Sequence, residues 1–441
     1  MRLLVLALVC LPAVAAAEVP RLTLEQVITK ALASPKAQMA EGDRAAAAAR
    51  IDEADAARLP RIKATAFGTL SPDISCDTAD CTHTSPENFA FRFSGLFGSA
   101  QLDITQPLFT FGKITHARRA ARAGLDAQKA LADEAAGDLA VDAARAYWGL
   151  KLARELGYML DDGLEEITKA LAQIDEKTKG APDVSIQDRQ RIAVLVAEAK
   201  VQRADAQAGE DQALAALRAL TNTPNADIDK DELVAVDRAL PTSASGDKRP
   251  QAVAARAGAT AANELTEMAV AQYFPDLALV GSAVISGAQG AEDPPSAFAN
   301  DPYNRRGVGL VLALQWTLEP WNVKARADRA RAEAHKARAQ SDLAALGANY
   351  DAQTALTEMT SAHAKVDAAK EGEKAARTWL ASVLQAQAIG TGEAKDLADA
   401  YIAWFQMRAR WATAVVQWNV AVVRLGRASG EFRATGSRPK E

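Results

Sequence analysis

The sequence is 441 residues long, with Lys plus Arg at 51 against Asp plus Glu at 56 and a formal net charge of −5. Charges of both signs are interspersed, which excludes the one-signed basic surface of a nucleic-acid-binding protein. Aromatic residues make up only 5%, thin for the cores of two or three conventional globular domains; alanine supplies much of the apolar content and favours long, closely packed helices.

At the N-terminus, Arg2 precedes an apolar run from Leu3 to Val14 and the small residues Ala15-Ala16-Ala17. These are the charge, core and A-x-A site of an export signal, so residues 1–17 are expected to be removed and the mature chain to start at Glu18; an uncleaved anchor is the alternative. No later stretch offers about 18 consecutive apolar residues, so a membrane, if crossed, is crossed by strands. The first strands are expected at about 61–71 and 99–108. Between them Cys76 and Cys81 share a polar loop with His83. In an exported chain such a close pair reads as a small disulfide, with free thiols or a metal site as alternatives.

Two helices follow, at about 114–179 and 184–220, with no proline between Pro107 and Pro182. The first would be about 100 Å long if unbroken, at 1.5 Å per residue. A polar, proline-marked stretch from Thr221 to Pro250 comes next, and the plan then recurs. Strands are expected at about 276–286 and 307–318 and helices at about 324–388 and 393–425, with a C-terminal tail at 431–441. Pro35 and Pro60 reappear as Pro250 and Pro275 at an offset of 215. Leu102, Ile104 and Leu108 fall on Leu312, Leu314 and Leu318 at an offset of 210. Equal spacing at separate points argues for duplication, with residues 18–240 and 241–430 as two structural repeats and the change of offset absorbed in loops.

The strands alternate. Leu102, Ile104 and Leu108, interrupted by Gln106, oppose Gln101, Asp103 and Thr105; in the second copy Leu310, Leu312, Leu314, Trp316 and Leu318 share one face. This suits a barrel wall between lipid and water, a soluble sandwich with one buried face being the alternative. Four strands cannot close around their own side chains, and an open edge in lipid leaves backbone groups unpaired, so a barrel requires several copies of the chain. In the last helix Leu397, Trp404, Trp411, Trp418 and Leu425 are seven apart, the spacing of a packing seam rather than of a ligand site. His83, His116, His335 and His363 show no metal-ligand spacing, and neither a nucleophile elbow nor a phosphate loop occurs. Nothing in the sequence proposes an enzyme, a cofactor or a metal centre.

Several short segments then fall in a telling order: Leu22-Thr23-Leu24-Glu25-Gln26 with Ala31-Leu32 and Pro35, Leu59-Pro60, Gln106-Pro107-Leu108-Phe109 with Phe111-Gly112-Lys113, and Arg249-Pro250. Together they resemble the TolC-like outer-membrane efflux proteins over essentially the whole mature length. Thr23 to Gln26 also reads as a capping box. The resemblance implies a mainly α fold with membrane β-barrel strands. In such a homotrimer four strands per chain close a twelve-stranded barrel, and long antiparallel, coiled-coil-like helices form a periplasmic α-helical barrel. It further implies the outer membrane of a Gram-negative bacterium, contact with its lipid, and two protein partners: a periplasmic adaptor (membrane fusion) protein and an inner-membrane pump of RND, ABC or MFS type. The function implied is a passive duct through which small molecules are expelled. The same duct serving type I protein secretion is the alternative, and a soluble periplasmic coiled-coil scaffold is a reading of another class.

The resemblance also places two helix-hairpin tips, at 179–187 and 389–399, where the tunnel narrows. Gly180, Gly390, Thr391 and Gly392 would meet the adaptor. Asp396 and Asp399 fall on the family's acidic constriction; three apart on a helix they share a face, and threefold repetition would make rings that attract cations. Solvated acids in a helix's first turn are the alternative. Gly392 stands where some relatives carry a basic gating residue, and Ile186 where an acidic partner is common. A latch here would therefore draw on Asp183, Asp188, Arg189 and Lys395.

Overall fold

The computed structural model describes residues 20–73, 92–178, 186–289, 303–389, 391 and 393–432. Residues 1–17, Cys76, Cys81, Gly180, Asp183, Gly390, Gly392 and the tail from 433 lie outside the described residues. In chain order the elements are β1 (Arg21–Leu22), α1 (Leu24–Ala31), α2 (Pro35–Ala56), β2 (Arg61–Asp73), β3 (Arg92–Phe109), α3 (Lys113–Thr178) and α4 (Ile186–Thr221). There follow β4 (Asp227–Ile228), α5 (Pro250–Ala271), β5 (Asp276–Ala288), β6 (Arg306–Gln315), α6 (Pro320–Ala388) and α7 (Ala394–Ser429).

Local chemistry accounts for the helix ends. At α1 the Thr23 side chain accepts from the Gln26 N–H while the Gln26 side chain accepts from the Thr23 N–H, a reciprocal cap. Helix α6 opens on Pro320, earlier than the residue 324 read from the sequence, because a proline at the first helical position gives up only an N–H that has no partner there anyway. Helix α7 runs beyond 425 to Gly430, which takes a left-handed φ of 77° and donates its N–H to Arg427 O. Glu431 N–H reaches Gly426 O at 2.8 Å, closing the helix as a glycine cap does.

The chain divides into two compact units: Met1–Gly42 with Ala130–Val253 and Ala344–Glu441, and Asp43–Lys129 with Ala254–Leu343. The first is mainly helical, with an irregular segment after β4 and one short parallel pairing of β1 with β4, where Arg21 lies opposite Asp227 and Leu22 opposite Ile228. Its apolar side chains gather in three clusters. Leu139, Tyr147, Leu150, Leu217 and Val415 anchor one, Met159, Ile167, Leu195, Leu380 and Phe405 another, and Met359, Trp418 and Leu425 the third. All five residues of the seven-residue stripe on α7 enter these clusters, from Leu397 and Trp404 through Trp411 to Trp418 and Leu425. Glycine sets how closely the helices approach: a Cβ on Gly163 of α3 would collide with the Phe405 ring of α7, and one on Gly372 of α6 with Met407 of α7.

The second unit holds an antiparallel sheet in the order β2-β3-β5-β6, so β2 and β6 are its edges. The register places Ile62, Ile104, Gly281 and Leu310 in one row and Ala64, Leu102, Ala283 and Val308 in another. Alternate rows carry Lys63, Asp103, Ser282 and Gly309, then Thr65, Gln101, Val284 and Gly307. With a side-chain period of two, one face is apolar and the other mostly polar. Gln106, the intruder in the apolar set, donates to Arg58 O and Pro107 O, both at 2.8 Å. Strand β3 starts at Arg92, well before 99, and β6 stops at Gln315, short of 318. Just past it, Trp316 turns to donate its Nε1–H to Tyr273 O at 3.2 Å.

At the β3–α3 junction Phe111 and Gly112 both have positive φ, 49° and 93°, a bend glycine makes without strain. Two ion pairs and a hydrogen bond fix the opening turns of α3: Lys113 to Asp276 at 2.8 Å, Arg118 to Asp55 at 2.5 Å, and the His116 ring to Glu264 at 2.7 Å. Their partners lie on β5, α2 and α5.

Candidate functional site

The sheet presents a wall with two chemistries. Along β3, Leu96, Ala100, Leu102 and Ile104 are exposed, whereas Phe97, Ser99, Asp103 and Thr105 are partly covered. On β3 the apolar face is thus the more exposed one apart from Gln101, as on the convex side of a curved sheet, and the polar face is taken as the concave one. Leu310, Leu312 and Leu314 on β6 also lie bare on the apolar face. Large apolar side chains standing in rows without a core over them fit a lipid environment, and the polar concave face fits a water-lined lumen. Among the described residues no helix is long and apolar enough to cross a membrane.

At the end of α6, Thr391 donates both its N–H and its hydroxyl to Ala386 O, at 3.0 and 3.3 Å. Glu393 precedes α7 in an extended conformation and makes no side-chain cap. Lys395, Asp396 and Asp399 are exposed, while Leu397, Ala398, Ala400 and Tyr401 are buried on the opposite side of the same turns. Two carboxylates thus stand one turn apart on the open face of α7, held there by an apolar anchor behind them. Asp399 also borders a groove of about 780 Å³ between α4 and α7, with Arg191, Glu198 and Arg410 among its polar lining residues. Asp188 and Arg189 fall in the opening turns of α4.

Sequence reasoning gave no sign of the polar network that binds the segment after β4. Tyr147 on α3 donates its hydroxyl to Asp229 at 2.6 Å, and Lys151 pairs with the same carboxylate at 2.6 Å and with Asp231 O at 3.0 Å. Burial works against the Asp229 carboxylate, but the Lys151 ammonium and the Tyr147 hydroxyl outweigh it and hold the group below the usual carboxylate range. Burial first, then the neighbouring Asp229, pushes the Tyr147 phenol up. Arg154 adds ion pairs to Glu210 and Asp227, each at 2.8 Å. Further along, the buried Asn419 of α7 accepts from Val236 N–H at 2.8 Å and donates to Val234 O at 2.9 Å, and Trp418 Nε1 donates to Val236 O at 2.8 Å. Two side chains here complete the hydrogen bonds of an extended segment as a neighbouring strand would.

Arg249, at the start of α5, is buried between Glu134 and Asp351; Glu134 also pairs with Arg427 at 2.9 Å and accepts from Gln251 N–H at 3.3 Å. Burial opposes the guanidinium charge, and the two carboxylates more than restore it, raising its pKa further. These are structural contacts of the helical unit. The candidate conducting features are the two-faced sheet and the exposed acids of α7.

Comparison with known proteins agrees with this geometry. No curated protein matches the chain in sequence. Among solved structures it is similar to the outer-membrane channel OprN, with a TM-score of 0.76 and 21% identity over 92% of this chain and 89% of that one. It is also similar to the MtrE outer membrane channel of Neisseria gonorrhoeae (0.75, 21%, 92% and 88%) and to the CmeC outer membrane channel of Campylobacter jejuni (0.74, 18%, 94% and 87%). At such low identities the structural match establishes the fold alone. A family model described as outer membrane efflux protein matches residues 27–223 and 243–431, so the chain belongs to the outer membrane efflux protein family and is an efflux channel of the Gram-negative outer membrane, extending into the periplasm.

Proposed function

We propose that three copies of the chain join β6 of one to β2 of the next, closing a twelve-stranded barrel, and that their helices complete a periplasmic tunnel. The observation that carries this reading is a four-stranded sheet with a lipid-like outer face and two unpaired edges. In hydrocarbon an unpaired edge costs several kcal/mol for each orphaned backbone group, and closure removes every one. Efflux channels of tripartite systems work with an adaptor and a pump. Here the tips around Thr391 would meet the periplasmic adaptor, while an inner-membrane pump of RND, ABC or MFS type supplies the work and small molecules are the cargo.

Threefold repetition turns Asp396 and Asp399 into two acidic rings at the periplasmic end, a constriction that attracts cations and repels anions. Lys395, exposed one residue away, and Asp188 and Arg189 on α4, with Asp183 before it, form the candidate latch. The decisive measurement pairs light scattering on the detergent-purified protein with planar-bilayer recording. A trimer that gives discrete, cation-selective channels is expected, with selectivity reduced when Asp396 and Asp399 are both changed to Asn. A particle of another size that gives no channels would overturn the barrel; channels whose selectivity ignores the double substitution would remove the two acids from the constriction.

A further inference from the structure

Among the described residues, aromatic rings gather at one place on the concave face of the sheet. Phe67 pairs in register with Ser99, and Phe97 with Thr69, so both rings lie on the face of Thr65, Gln101 and Asp103, not on the apolar face. Their ring centroids are 5.8 Å apart at 56°. Tyr303, just before β6, meets Phe97 edge-on at 5.9 Å and 88°. Phe67 lies about 20 Å along β2 from the start of the strand at Arg61, where the helices of this unit join the sheet. The cluster therefore belongs to the outward half of the barrel. Phe67 is 57% exposed. Phe97 and Tyr303 are partly covered and Phe67 sits on an edge strand; rings on the lipid face would need no explanation, but an aromatic cluster on the water-lined face offers apolar surface to whatever passes.

We propose that Phe67, Phe97 and Tyr303 form a contact site for planar aromatic solutes, cationic ones in particular, as they leave through the outward half of the duct. The inference rests on the trimeric-duct reading, which makes the concave face the path of the cargo. Each copy adds the same three rings, so a flat solute meets π faces from several sides, and a positive charge on it gains from the ring quadrupoles. Ring faces by themselves grip a solute weakly. An exit path requires this, since a contact has to form and release quickly for flux to continue.

The test uses single wild-type trimers in a planar bilayer, with ethidium as a planar aromatic cation and tetramethylammonium as a cation without rings. Ethidium is expected to produce brief current blocks, and tetramethylammonium none. Replacing both Phe67→Leu and Phe97→Leu keeps apolar bulk and strand propensity while removing the π faces, and should shorten the ethidium blocks by about three- to tenfold. Tyr303→Leu lies outside the strands and gives an independent reading if the double variant fails to assemble. Unchanged blocks in intact channels of either variant would overturn the contact site and leave the duct standing. Wild-type protein that makes no channel would overturn both.

Discussion

In the sheet, Leu310, Leu312 and Leu314 are 70%, 64% and 64% exposed; in the helical unit, Leu139, Leu150 and Leu217 are 1% exposed or less. The same side chain has opposite environments because the two units solve the burial problem differently. The helical unit folds its leucines inward, against alanine-rich partners, and pins its irregular segment with side chains such as Asn419 and Lys151. The sheet is two-sided and has no core of its own, so its leucines stay outside. Stability in the helical unit is internal to the chain, whereas in the proposed barrel the sheet would draw it from the membrane and from neighbouring copies.

The comparison makes predictions that differ in kind between the units. The largest effect is expected for Arg249→Met, which removes the buried guanidinium between Glu134 and Asp351, leaving Glu134 to Arg427 and the Gln251 N–H and the half-exposed Asp351 to solvent. Removing one partner of a buried ion pair costs about 3–5 kcal/mol, read as a lowered melting temperature of the helical circular-dichroism signal. Leu312→Arg should cost about 2–4 kcal/mol at mid-membrane depth but act elsewhere, abolishing heat-resistant trimer on a gel while leaving helix content intact. Val311→Lys, one residue away on the concave face, should assemble normally; if both variants fail alike, the assignment of faces is wrong. Asn419→Leu takes away the partners of Val236 N–H and Val234 C=O, at about 1–3 kcal/mol in all because that segment is open to solvent, again in the helical melt alone.

The smallest effect is set by pH. The Asp229 carboxylate is held below its ordinary range in the fold, so its contribution is complete above the unfolded-state value near pH 4 and is lost as pH falls through the lower, folded one. The melting difference between wild type and Asp229→Asn should accordingly be full at neutral pH and vanish in acid. A difference that persists in strong acid would show that Asp229 acts through packing and not through charge.

How much of this was legible in the sequence follows from period and length. Alternation over Leu310 to Leu314 and over Gln101 to Thr105 exposes a strand with two unlike faces, and proline-free stretches of heptad spacing expose long helices. The pairing of β1 with β4 was invisible, because two residues have no period and their partners stand more than two hundred positions apart. Trp418 was read as a packing residue, which it is, but its hydrogen bond to Val236 O depends on where an irregular segment happens to pass. Asn419 resembles any polar helical residue until that segment covers it. The stop of β6 at Gln315 turns on Trp316 finding Tyr273 O, a tertiary contact that overrides alternation continuing to Leu318. At the tips, spacing shows that Asp396 and Asp399 share a face; what they confront depends on other copies of the chain, about which one sequence says nothing. The same helices also read as a soluble scaffold, and family membership decides for the channel.

The strand order has a genetic consequence. Because β2 and β6 are different edges, each joint in the proposed ring is heterologous, and the ring closes only when every copy offers both edges intact. A chain with a sound β2 and a spoiled β6 would still enter the assembly and then block its completion. Such an allele, expressed beside the normal one, should be dominant, poisoning most of the channels it joins.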